Sequence, residues 1–84
     1  MTVKTVLTAN VAKKMNSDSI FNEFVINCIY RHLSGDWGEM PPEDIEANNA
    51  DPLFAMSLYT TPDNTKVILK QDYNVLAVFF PCEY

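Results

Sequence analysis

The sequence predicts an α+β fold: an antiparallel three- to four-stranded sheet, one long helix packed on one face, and a short acidic helix. Three observations predict it. Residues 19–33 repeat apolar side chains at helical spacing. Three short runs near the C-terminus, 54–60, 65–70 and 75–80, are separated by turn residues and read as consecutive strands. Between these two regions lies a segment rich in acids and prolines. The 84 residues give room for a single domain, 1–84. Apolar residues at 48% and charged ones at 20% are normal for a folded chain, and no low-complexity run points to disorder.

Residues 2–8 (TVKTVLT) are rich in Val and Thr and read as an N-terminal strand at the sheet edge. Asn10 is placed to cap a brief helical turn through VAKKM, and NSDS at 16–19 breaks it. In the long helix, Ile20, Phe24 and Cys28 form one row, and Phe21, Val25, Ile29 and Leu33 the adjacent row. Together they make a broad apolar stripe. Asp18 or Ser19 caps its start, and Arg31 and His32 suit the negative end of its dipole. Gly35 supplies a left-handed stop. Pro42 is well placed as the first residue of a second helix, 42–49, with Glu43 and Asp44 in its first turn. TPDN and QDYN are the turns between the last three strands. VLAVFF reads as a strand covered on both faces, ended by Pro81.

Charge is unevenly spread. Asp36, Glu39, Glu43, Asp44, Glu46, Asp51 and Asp63 fall within residues 32–65, where there is no Lys or Arg. Such a field repels nucleic acid and attracts basic surfaces, so direct binding of DNA or RNA is not expected. The segment is either a solvated face or a surface made for a basic protein partner. Carboxylates one helical turn apart lie roughly 5–6 Å from one another, and DNA phosphates follow at about 3.4 Å along a strand. A short acidic helix therefore approximates the charge of a nucleic-acid backbone. Asp36, Glu39, Glu43, Asp44, Glu46 and Asp51 are the candidate contact charges. Trp37, flanked by Asp36 and Gly38, is either a plug for the loop or an exposed aromatic anchor.

Signals for chemistry are weak. Cys28 and His32 lie one turn apart and could pair as nucleophile and base, but Cys28 sits on the apolar stripe and nothing supplies an oxyanion hole. There is no phosphate loop, dinucleotide fingerprint or calcium loop, so neither cofactor nor metal is expected, and the chain reads as non-enzymatic. No stretch approaches the ~20 apolar residues of a membrane span, and no export signal is visible at the N-terminus. The expectation is a cytoplasmic protein, monomer or homodimer, with Cys28 and Cys82 reduced, buried and unreactive.

Several stretches together, RHLSGDWGEM at 31–40, EDIEAN at 43–48, SLYTT and TKVIL, and the terminal FFPCEY, carry a resemblance. They resemble a family of small uncharacterised bacterial proteins carried on plasmids and other mobile elements. The resemblance covers roughly residues 20–84, and departs from the family at Gln71–Asn74 and at Cys82. It implies no catalytic role for any residue. It implies a setting in which small acidic proteins disable a host defence, as anti-CRISPR proteins do by covering a nucleic-acid-binding surface of a CRISPR effector or restriction complex. The other expectation from the charge pattern is a non-catalytic interaction or regulatory module.

Overall fold

The computed structural model describes residues 2–84. In chain order they form β1 (Lys4–Leu7), α1 (Ala9–Ser17), α2 (Ser19–Leu33), α3 (Pro42–Ala50), β2 (Met56–Thr60), β3 (Lys66–Asp72) and β4 (Val75–Phe79). Short 3₁₀ turns lie at Pro52–Phe54 and Pro81–Glu83. The fold is α+β, with the strands in one sheet of order β1-β4-β3-β2.

The sheet is mixed, not antiparallel throughout. β2, β3 and β4 form the expected meander, while β1 runs parallel to β4. The amides of Lys4 and Thr8 fix this register by donating to the carbonyls of Asn74 and Val78 at 2.8 and 3.1 Å. Residue patterning marks a strand but not its direction, which here is set by where the meander ends. The "brief turn" at 11–15 is a full helix. Thr8, not Asn10, caps it by accepting from the Val11 amide, and α1 sends Val11 into the core. β2 starts later than expected, because Pro52 opens a 3₁₀ turn that leaves Phe54 exposed. β3 runs further, because Gln71 pairs with Leu76 instead of turning.

Asp18 begins α2 as expected, accepting from the amides of Ile20 and Phe21. Gly35 ends it with φ of +89°, and the Asp36 amide reaches back to the Arg31 carbonyl at 2.9 Å. The buried line of α2 is Phe21, Val25, Cys28 and His32, narrower than the predicted stripe. Phe24 and Ile29 pack at its flank, and Ile20 is 72% exposed. This line meets Tyr59, Val67, Leu69, Leu76 and Val78 on one sheet face. On the other face Ile68 and Phe79 are buried, and Tyr84 stacks on Phe79 at 5.6 Å.

Leu69 is fully buried at the centre of this core, whereas Phe24 lies at its edge. Leu69→Ala is expected to cost about 2–5 kcal/mol, and Phe24→Ala less despite its larger side chain. Urea unfolding followed by circular dichroism measures both. A larger loss for Phe24→Ala would overturn the assignment of the core.

Candidate interaction surface

The end of α2 turns directly into a strap that lies on the sheet. The Leu58 amide donates to Trp37 O, and the Glu39 amide to Leu58 O. Gly38 forms a parallel bridge with Leu58. Its φ of +70° and its closeness to β2 both require glycine, since a Cβ would lie 2.2 Å from Leu58 O. The strap thus closes the outer side of β2.

Two predicted contact residues are consumed in building it. Asp36 takes both guanidinium contacts of Arg31, at 2.7 and 3.3 Å, and accepts from the Gly38 amide. The Arg31 hydrogen bond, helped by that amide, holds the Asp36 carboxyl below its ordinary range. The Asp36 carbonyl accepts from the Tyr59 hydroxyl at 2.6 Å, and Arg31 lies over the Tyr59 ring at 4.6 Å. Burial pushes the Tyr59 phenol up to about 12. Trp37 is 6% exposed. Its edge meets the His32 ring, and its indole N–H donates to Asn49 Oδ1 at 2.8 Å. The expectation of an exposed aromatic anchor is therefore corrected: Trp37 is the plug, because its apolar body is covered and its one polar atom is satisfied.

α3 is held chiefly by amides. The Asn48 side chain is buried and behaves like a peptide group of a neighbouring strand, donating to Met56 O and accepting from the Met56 amide. Asn49 receives Trp37, and Ile45 adds a half-buried apolar contact. Glu43 and Glu46, one turn apart, remain exposed, as do Glu39 on the strap and Asp51 at the helix end, while Asp44 is half-buried. Among the described residues the ion pairs are Arg31 with Asp36 and Lys14 with Asp63. The five acids at 39, 43, 44, 46 and 51 therefore form no ion pair among the described residues.

His32 is sealed inside and does not serve the helix dipole from the surface. Ser57 Oγ lies 2.6 Å from Nδ1, and Gln71 Oε1 lies 3.1 Å from Nε2. Gln71 in turn donates to Tyr73 O. With Gln71 accepting, Nε2 carries the proton and Nδ1 accepts from the Ser57 hydroxyl. This Ser–His contact has the distance of a nucleophile and its base, but both residues are buried. Cys28, the other candidate nucleophile, is pushed up to about 11 by burial, which keeps it a thiol. No buried side-chain nitrogen or oxygen among the described residues lacks a partner. No three His, Cys, Asp or Glu side chains among them are gathered as a metal site would require. No helix among the described residues is long and apolar enough to cross a membrane.

Ser57, Gln71, Asn48 and Asn49 were not legible as a set. The one available signal was spacing: His32, not Leu33, continues the 21, 25, 28 line at 3.6 residues per turn. No protein-family model matches the chain, and no curated protein or solved structure matches it either. The roles of these residues accordingly rest on their geometry in this chain.

Two outcomes are expected. Burial lowers the His32 pKa below its ordinary 6.5, against a smaller opposing effect of Gln71. The folded state thus resists a proton that the unfolded chain accepts. Stability should be constant above the ordinary pKa and should fall as pH drops below about 6.5. Thermal melts from pH 8 to pH 5 should show this decline, and His32→Gln should flatten it; equal slopes would overturn the assignment. The thiols should also differ, because Cys82 is exposed and Cys28 buried, correcting the expectation that both are protected. A thiol reagent should modify Cys82 in the native protein and reach Cys28 only on unfolding, as intact mass will show.

Proposed function

We propose that the chain is a non-catalytic inhibitor that lays its acidic face on a basic, nucleic-acid-binding surface of a host defence complex, in the manner of an anti-CRISPR protein. The observation that carries this reading is the set of exposed acids with no internal cation: Glu39, Glu43, Glu46 and Asp51, with Asp44 beside them. Charges that form no ion pair within their own fold are available to a partner. Asp36 and Trp37 leave the proposed contact set and become its supports. The strap and the Asn48 amide hold α3 against β2, so the acids are presented from an ordered element. Preorganisation of this kind lowers the entropy lost on binding. The partner in this reading is a protein, and the compartment is the cytoplasm, where such complexes act.

The test is DNA cleavage by a guide-loaded CRISPR effector, with and without the protein, at two salt concentrations. The wild type should inhibit, and target DNA should compete with it. Glu43→Gln, Asp44→Asn and Glu46→Gln together should lower folding stability by no more than about 2 kcal/mol, because none of the three is in an ion pair and only Glu43 and Asp44 sit at the positive end of the α3 dipole. They should weaken binding by on the order of 1–3 kcal/mol at low salt and flatten its salt dependence. Equal affinity and equal salt slope for the two proteins would remove the acidic face from the mechanism.

A further inference from the structure

The two edges of the sheet are unlike. The β2 edge is closed by the strap at 37–39. β1 forms the other edge, all four of its residues are exposed, and among the described residues nothing pairs with its outer side. Lys4 and Thr8 direct their backbone groups to β4. The alternation of a parallel ladder therefore turns the N–H and C=O groups of Thr5 and Leu7 outward. Val6 is 37% and Leu7 38% exposed, and they stand on opposite faces: Leu7 pairs with Val78 on the helix side, Val6 with Ala77 on the other.

We propose that β1 is a dimerisation edge, on which a second copy of this chain docks its own β1 in antiparallel register about Val6. The outward groups carry this pairing. In an antiparallel ladder centred on Val6, Thr5 faces Leu7 of the partner, and each such pair exchanges both of its N–H···O bonds. Val6 then meets Val6 of the partner as the close, non-hydrogen-bonded pair, and each Leu7 is covered across the seam by the facing Thr5.

Charge supplies an independent reason for a second copy. The same register sets Lys4 opposite Thr8 of the partner, about 5 Å away between Cβ atoms. Thr8 Oγ1 donates to Glu83 Oε1 at 2.8 Å, and Asn10 donates to Glu83 Oε2. Glu83 has no cation of its own among the described residues. Each Lys4 ammonium would thus reach a carboxylate of the other copy, twice by symmetry, and within the ladder itself no like charges would face one another. The pairing joins the two sheets at the edge farthest from α3, so it does not depend on the acidic-face reading and leaves both acidic helices free.

Sedimentation velocity over a wide concentration range tests the proposal, together with hydrogen exchange of the Thr5 and Leu7 amides. The wild type should reach twice its chain mass of 9.6 kDa, with both amides protected only in the dimer. Val6→Lys places like charges at the two-fold and should raise the dimer Kd about tenfold or more. Its circular dichroism spectrum should not change, since Val6 faces solvent in the single chain. Lys4→Glu should also weaken the dimer, by opposing Glu83. A wild type that stays monomeric, a dimer whose Thr5 and Leu7 amides exchange freely, or a Val6→Lys protein that dimerises equally well would each overturn the assignment. So would a monomer that captures an extended peptide on β1, because a foreign strand would then be the occupant.

Discussion

The contact between Gly38 and β2 is the constraint from which the rest of the layout follows. A side chain there would strike Leu58 O and the Tyr59 ring, at 2.2 and 2.7 Å from its Cβ. Only glycine lets the chain leave α2 and lie flat against the strand. That contact closes one sheet edge and leaves β1 as the other. It also brings Trp37 onto His32 and delivers the chain to α3 already beside β2. The Arg31–Asp36 pair is exposed, and such pairs contribute little to stability alone. Its role is geometric: it holds the turn through which the strap begins.

Beneath the strap the core is polar where an apolar core would be simpler. His32, Ser57 and Gln71 are buried together, and each makes its hydrogen bonds within the group or to nearby backbone. A satisfied network of this kind fixes one arrangement of helix on sheet, because any slip would leave a buried polar atom unpaired. The helix can lie on the meander in the register that pairs His32 with both strands, whereas Val25 and Cys28 would tolerate small shifts. Specificity is therefore concentrated at the α2 C-terminus, next to the strap.

The legible parts of the fold were those governed by periodicity and local stops. α2 followed from its apolar spacing and from Asp18 and Gly35, α3 from Pro42, and the meander from its two turns. The direction of β1 was not legible, since its residues specify an extended chain and the meander decides its neighbour. The helix at α1 was read as a single turn because it is only nine residues long and holds to the core through Val11 and Met15 alone, one helical turn apart. Gln71 was read as a turn residue because its amide is polar, yet the partner that makes burial tolerable, His32, lies 39 positions away. At the surface, composition marked the acidic segment but could not separate Asp36, paired with Arg31, from Glu43 and Glu46. That distinction requires knowing which residues the α2 stop folds back together.

α3 is started by Pro42 and anchored by two asparagines and one half-buried isoleucine, so its exposed positions, Glu46 and Ala47 among them, bear little on the fold. The chain can thus change the charge pattern of this helix over generations while Asn48, Asn49 and Ile45 stay fixed. Natural variants should accumulate at the outer positions and spare the anchors. Folding and surface charge are thus set by different residues of one short helix, so either can change without the other.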